Sequence, residues 1–511
     1  MFFRKKKNAS GSISIQIISK ASGKYKVVKT IGSATNPLEV ESLTFKARQE
    51  IENLTRQPKL FGFDDDRIIE SAFEMLDNSN IRTVGPEIVF GKIFDHIGFN
   101  VLKQEMFRHL VIARLAFPLS KLKTAEYLYR YLGISHDINS IYRFLDKLNN
   151  QLKNQIEQIS YKHTYRVLKG NISVVFYDLT TLYFEASDED DLRKTGFSKE
   201  GKHDKPQIYI GLLVGLGGYA IGYDIFEGNT YEGHTLVPFL ERIRAKFNLD
   251  KPIVIADSGL LSNKNITQLQ QQGYEYILGA RIKNEPKGIK DQILSKTYAD
   301  KDTITIFKNS ITRLIIQFSE ARAAKDAHNR KKGLTRLENR VKTGKLTKAS
   351  LNNKGYNKYL KISGEVTIEI DYEKYNQDSL WDGLKGYITN TKLTDKQVIE
   401  NYGNLWHIER AFRMSQTDLR IRPIYHRIRE RIEAHICISF TAYCIYKELE
   451  RVLEEEKSTL SVKQAAELTH NMYQISYTLP ESKHTKSKLL KMDKKQAELY
   501  NIIQNKFRVS Q

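Results

Sequence analysis

Asp178 closes the run "SVVFYD" and Asp257 closes the run "PIVIAD". In both, a short block of β-branched and aromatic residues ends in a single carboxylate. A buried carboxylate without a partner costs several kcal/mol or shifts its pKa, so an aspartate ending a core strand calls for a use. Two such strands can present both acids on one rim of a sheet, where α/β proteins commonly bind ligands. Carboxylates held close repel each other unless one is protonated or a cation neutralises them. Mg²⁺ takes carboxylate oxygens and completes its shell with water and substrate phosphates. Two such ions, about 4 Å apart, stabilise both the attacking and the leaving oxygen of an in-line phosphoryl displacement.

A third acid is available in "YGNLWHIERAFRMSQTDLRIRPIYHRIRERIEAHI", residues 402–436. There Tyr402, Trp406, Glu409 and Arg413 recur at helical spacing, with Leu405, Ile408 and Phe412 as an apolar stripe. Glu409 lies among Arg410, Arg413, Arg420, Arg422, Arg427, Arg429 and Arg431. Read alone, it is one half of an i,i+4 pair with Arg413 on a solvated helix, worth only ~0.3–0.5 kcal/mol. Read with the two strand-end aspartates, it is the third metal ligand.

The elements that must position these acids can be read coarsely. Strands are predicted over 172–178, 207–216, 219–226 and 252–256, with helices over 234–247 and after 262. Residues 281–400 are mixed, with β-rich stretches at 303–318, 364–371 and 385–390. Residues 321–350 carry ten Lys or Arg against two acids. That block is either a solvated helix or loop or a phosphate-backbone contact. Residues 12–32 alternate as a small hairpin, and 40–150 read as helical. The helices over 120–133 and 134–152, joined at Gly133, are either two packed helices or a helix-turn-helix exposing Lys121, Lys123, Arg130 and Arg143. Residues 395–456 are helical and charged, and the Lys-rich tail after 457 has helical pieces.

The bulk properties agree with a polyanionic partner. The 511 residues carry 81 Lys plus Arg against 60 Asp plus Glu, a net charge of +21; such a balance favours nucleic acid over neutral substrates. Paired carboxylates also serve glycosidases, but this charge and the Arg-rich helix suit a sugar poorly. "GLGGYA" (215–220) fits a dinucleotide-loop spacing, yet a strand and not a helix follows it, so a hairpin is the better account. Glu185 and the cluster Asp188 to Asp191 read as a flexible acidic loop. His203, His234 and His407 have no ligand spacing. Cys437 and Cys444 read as buried reduced thiols in a helix over 434–446. Neither that segment nor 208–223 is long enough to span a membrane. The N-terminus lacks an apolar secretory core. A soluble, cytoplasmic protein is expected.

The order Asp178, Asp257, Glu409 resembles the DDE transposases of bacterial insertion sequences, in particular the IS4 superfamily and its IS1634 group. The matching text is "YDLTTLYFE", "GFSKEGKHDKPQIYIGLLV", "YDIFEGNTYEGHT", "VIADSGLLS" and "YGNLWHIERAFRMSQTDLRIRPIYH". The resemblance covers roughly residues 90–450. It implies an α/β RNase H-like catalytic core with a β-rich insertion, a mostly helical N-terminal region and a helical C-terminal region. The implied layout is a hairpin region at 1–40, helical DNA-binding and dimerisation elements at 41–165, and core at 166–280. The insertion follows at 281–395, then core helices carrying the Glu at 396–456 and a tail at 457–511. Asp178, Asp257 and Glu409 would bind two Mg²⁺, with Mn²⁺ as a substitute. Strand cleavage at each terminal inverted repeat would free a 3′-OH that attacks the opposite strand or target DNA, with a homodimer holding paired ends near the nucleoid. Tyr402, Arg410, Arg413, Arg420 and Arg422 are the expected DNA contacts. The family pattern around the Glu, Tyr-x2-Arg-x3-Glu-x6-Lys, is met by Tyr402 and Glu409, but Leu405 and Gln416 stand in the Arg and Lys places. Those two departures keep open a decayed, DNA-binding descendant, and a nuclease without strand transfer is the other alternative. Trp381 and Tyr387 are candidates for stacking a flipped base.

Overall fold

The computed structural model describes the chain except residues 22, 56–69, 71–72, 75, 78–79, 186–187, 197–203, 261, 344–345, 347–351, 353–354, 364–366, 480–481 and 508–511. His203 and most of "GFSKEGKHD" therefore lie outside the described residues. Two compact units result, Met1–Asn80 with Ser476–Ser487, and Ile81–Ile475 with Lys488–Gln511.

In the first unit, β1 (Phe2–Lys7), β2 (Ile13–Ala21) and β3 (Lys24–Ala34) form an antiparallel sheet in that order. Alternation puts Ile15 and Ile17 on one face, where they pack on Val40 and Ala47 of α1 (Pro37–Thr55). The hairpin over 12–32 is there. The edge strand β1 was missed, because "FFRKKK" has no apolar alternation to reveal it.

The second unit is built on a sheet with strands from widely separated segments. These are β5 (Val174–Tyr183), β6 (Gln207–Gly215), β7 (Ala220–Glu227), β8 (Ile253–Ala256), β9 (Tyr276–Ala280), β10 (Thr303–Phe307), β11 (Arg313–Phe318) and β14 (Leu384–Thr389). β4 (Ile81–Thr83) lies apart, and β12 (Leu360–Ser363) and β13 (Thr367–Ile370) make a separate pair. The sheet order is β10-β11-β14-β9-β8-β5-β6-β7. β5 runs parallel to β8, and β8 to β9; the other pairs are antiparallel. The region read as an insertion thus contributes β10, β11 and β14 to the same sheet, beyond β9. Its apolar runs are long enough to be central strands, and a sheet extends at any open edge.

Strand alternation divides the core into two layers. Phe176, Ile255, Ile277, Ile315 and Tyr387 face one side and pack with α4 (Ile138–Val167), α9 (Trp406–Arg413) and α10 (Arg429–Glu455). Tyr177, Val254, Leu278 and Leu314 face the other and pack with α5 (Leu236–Phe247) and α6 (Asn263–Gln271). Ahead of α4 in sequence are α2 (Glu105–Ala116) and α3 (Lys121–Tyr127), and between α6 and α9 are α7 (Glu320–Lys342) and α8 (Asp395–Gly403).

Several expectations change here. The strand expected to close at Asp178 runs on to Tyr183 as β5, because "LTTLY" continues the strand formers, so Asp178 lies within the strand and only Asp257 follows a strand's last residue. The helix expected over 134–152 runs on to Val167 as α4, because Leu145, Leu148, Leu152 and Ile156 continue the stripe. Lys121, expected on the surface, is buried. The basic block is helical as α7 up to Lys342, and much of the remainder to 350 lies outside the described residues. Asp190 is held by the backbone N–H groups of Leu192 and Arg193 and by the Arg193 guanidinium, so it is an ordered turn and not a loose acidic loop. The tail is not wholly helical, since β15 (Tyr473–Thr478) and β16 (Thr485–Leu489) precede its last helix. "GLGGYA" is the hairpin turn between β6 and β7, with Gly217 and Gly218 at φ of 76° and 85°, a conformation that glycine adopts without strain. Cys437 and Cys444 are free and buried in α10, and burial pushes both thiols up to about 12. No described helix is long and apolar enough to cross a membrane.

Candidate active site at the strand ends

The register of the sheet gathers the acids. Tyr177 of β5 pairs with Ala256 of β8, so one residue further along each parallel strand Asp178 lies beside Asp257. Adjacent strands are about 4.8 Å apart. Asp178 shares the face of Phe176, and Asp257 that of Ile255, which is the α9 side of the sheet. Ala256 pairs with Leu278, so Gly279 of β9 follows next in the row, and Tyr387 of β14 pairs with Gly279. The row across four strands reads Asp178, Asp257, Gly279, Tyr387.

The helix carrying Glu409 lies over this row. His407 sits edge-on to Phe176 at 6.2 Å between ring centroids. Nine residues on, Gln416 donates to Thr180 Oγ1 at 2.7 Å. Ile408, Ala411 and Phe412 bury the inward side of α9, and the exposed Glu409 shares a helix face with Gln416. Three segments well separated in the chain are thereby brought to one face of the central strands.

Individual side chains refine the picture. Asp178 Oδ1 accepts from the Leu179 N–H at 2.8 Å. Asp257 Oδ1 accepts from the Tyr402 hydroxyl at 3.2 Å. Tyr402 is 5% exposed. A Cβ at Gly279 would stand 2.4 Å from the Tyr402 hydroxyl oxygen. Glycine at this position is what lets the phenol reach the aspartate. Burial, then the charge of Asp257, raises the Tyr402 hydroxyl far above its usual pKa, so it remains a donor. Lys385 places its ammonium 4.5 Å from the Tyr402 ring centroid. Its pKa is lowered by burial and by Arg322, against the opposing pull of Asp257 and Glu409. The acids thus have a cation from the chain itself in their field.

The expected DNA contacts fall in different places. Arg410 is ion-paired with Glu450 of α10. Arg413 and Arg420 are exposed. Arg422 donates to Gln416 Oε1 at 3.4 Å. Leu405 is buried in the core below α9. Tyr387, at 3% exposed, packs edge-on against Tyr402 at 5.0 Å. Trp381 instead lines an open cavity of about 580 Å³, together with Arg322, Arg330 and Lys385.

Sequence reasoning missed Lys385 and Glu232. Lys385 had a signal, a lone cation in the β run "LKGYIT". Glu232 belongs to the quoted "YEGHT"; its Oε2 lies 3.6 Å from where a Gly259 Cβ would be, against the turn that follows Asp257. Thr235 fastens that segment, donating to the Glu232 carbonyl and accepting from Tyr177.

Three carboxylates are the hard oxygen donors that Mg²⁺ takes, and two of them stand side by side. Among the described residues, however, no three His, Cys, Asp or Glu side chains gather closely enough to hold an ion. The donor chemistry fits a divalent cation, while the closed ligand set does not pre-exist.

The unit is a mixed α/β domain in which Asp178 and Asp257 stand on adjacent parallel strands. The family profile described as Transposase DDE domain matches residues 169–445, more than half of the chain, and the protein belongs to that family. No curated protein matches the chain. Similar solved structures include a cryo-EM piggyBac transposase synaptic complex with hairpin DNA, at 9% identity and a TM-score of 0.38, covering 76% of this chain and 78% of that one. Another is a Mos1 transposase paired-end complex with left transposon end, at 12% identity and a TM-score of 0.16, covering 31% and 53%.

Proposed function

We propose that this transposase binds the terminal inverted repeats of a bacterial insertion sequence and cleaves and joins their strands, as an IS4-superfamily, IS1634-like enzyme. The observation that carries this reading is the register placing Asp178 beside Asp257 on the face covered by the Glu409 helix. The strand order β7-β6-β5-β8-β9, antiparallel then parallel, supports an RNase H-like core.

Asp178, Asp257 and Glu409 would hold Mg²⁺, which when bound supplies Lewis-acid polarisation of phosphate and water. Tyr402 fixes the Asp257 carboxylate by donating to it. Gln416 ties α9 to β5 at Thr180 and accepts from Arg422, which brings a guanidinium towards the place where the family carries Lys. Lys385 and Arg322 offer cations to the phosphate backbone beside the acids. Trp381 is the aromatic available to a displaced base. A homodimer engages the paired ends.

The test is strand cleavage of DNA carrying the inverted repeats that flank the coding sequence, with Mg²⁺ and with Asp178→Ala as control. Nicks at the repeat ends followed by joined products support the reading. Binding without cleavage favours the decayed alternative, for which Leu405 and Gln416 speak; cut ends that never join favour a nuclease.

A further inference from the structure

A second charged site lies away from the acids and has the opposite sign. Arg114 of α2 is 6% exposed and Lys121 of α3 is 5% exposed. Both line a cavity of about 420 Å³, with Arg420, Arg422, His426 and His435. No described Asp or Glu lines it. Arg114 reaches only the Arg420 carbonyl and His435 Nδ1, both at 3.4 Å. His435 Nε2 is engaged with the Ile421 carbonyl at 3.0 Å. Asp146, whose charge acts on His426, is already bound by Arg431 at 2.5 and 3.0 Å. Among the described residues no ion pair reaches Arg114 or Lys121. Burial pulls Arg114 down to about 10 and Lys121 well below its usual value.

Buried cations are ordinarily paired, because an uncompensated charge in a poorly solvated place is costly and two of like sign repel. A fold that points two of them into one cavity lacks an anion. The walls indicate which kind. Tyr425, Leu119 and Leu122 line the same cavity and are exposed. Aromatic and apolar groups around a cationic well suit a phosphate that carries a sugar better than a bare ion. The position also matters, since Arg422 reaches Gln416, and Gln416 reaches Thr180, two residues beyond Asp178.

We propose that this cavity is a binding site for a backbone phosphodiester of DNA, seated on Lys121 and Arg114 and joined to the strand of Asp178 through Arg422 and Gln416. The assignment rests on the reading of the chain as a DNA-processing protein, and the experiment separates the two. In the first arm, thermal unfolding of the full chain is compared in inorganic phosphate and in chloride at equal ionic strength. Phosphate should raise the wild-type midpoint above that in chloride. Lys121→Met should unfold at a higher temperature than wild type in chloride and lose most of the phosphate response; Arg114→Gln serves as a second variant and should lose it too. In the second arm, binding to repeat-end DNA is followed against salt. Loss of one phosphate contact should reduce the slope of log K on log salt by about one. An undiminished phosphate response in both variants overturns the site. A lost response with an unchanged salt slope overturns the assignment to DNA and leaves a free-anion site. If wild type binds no DNA, the functional reading fails, and the phosphate arm still decides whether the cavity takes anions.

Discussion

The strand-end acids and the basic cavity are opposite solutions to one electrostatic problem. On the central strands Asp178 and Asp257 lie side by side, and the chain sets Tyr402 and Lys385 against Asp257. In the cavity, Arg114 and Lys121 are buried with no tempering acid. The first site has partners from within the chain. Among the described residues no ion pair reaches Arg114 or Lys121, which leaves their charge to a partner from outside. An enzyme working on a polyanion through metal ions needs both, one site to collect cations and another to hold phosphate. The strand β5 and the segment 416–422 connect them.

That contrast can be broken most severely at the acids. Asp257→Asn, Asp178→Asn or Glu409→Gln should each reduce strand cleavage by on the order of 10³-fold or more, while DNA binding is kept or tightened because repulsion of phosphate falls. Unchanged cleavage in any one of them removes that residue from the site. Next in size, Tyr402→Phe removes the donor on Asp257 without emptying the core; support of a ligand by an outer partner is worth roughly 10–100-fold, and cleavage rates should fall within that range while thermal stability barely moves. A large loss of stability with an unaltered rate per folded molecule would assign Tyr402 to packing alone.

Lys385→Met sharpens the comparison more gently. If the ammonium tempers the acids, its removal lowers by several-fold the Mg²⁺ concentration giving half-maximal cleavage, and a Mg²⁺ titration shows whether the midpoint moves. A fixed midpoint with slower cleavage would instead make Lys385 a phosphate contact. The smallest effect is on stability against pH. His426, at the basic cavity, is held down to about 4 by burial, then by Lys121, Arg431 and Arg114, with Asp146 opposing. His407, beside the acids, is held to about 4 by burial, then by Lys447 and Arg410, with Glu450 opposing. The unfolded chain protonates both near 6.5 and the folded one only near 4, so across that window the unfolded state binds more protons. Stability is therefore full above 6.5 and falls as the pH drops towards 4. Urea midpoints at about pH 7.5 and about pH 5 test this, and His426→Asn should flatten part of the slope.

The two sites were not equally legible. Asp257 follows the last residue of its strand, whereas Asp178, read as closing one, stands within β5, which continues to Tyr183; the isolated carboxylate among strand formers still marked both, and Glu409 stood out once they were seen. Lys121 read as a surface residue because helix periodicity around Ser120 gives no sign that α10 and the segment 420–426 close over it. Arg114 attracted no attention within the apolar "LVIARLAF". Tyr402 was expected at DNA, and its burial follows from Gly279, a residue 123 positions earlier.

Sequence by itself determined the strands that carry or precede the two aspartates, the amphipathic helix under Glu409, the hairpin turn at Gly217 and the excess of positive charge. These depend on periodicity, turn chemistry and composition, which act over a few neighbouring residues. Tertiary structure alone decided that Asp178 and Asp257 share a face and a register, that β10, β11 and β14 extend the sheet, and that Lys121 and Arg114 meet. Strand pairing and burial join residues from separate segments of the chain, and no local pattern records which partner a strand or a charge will find.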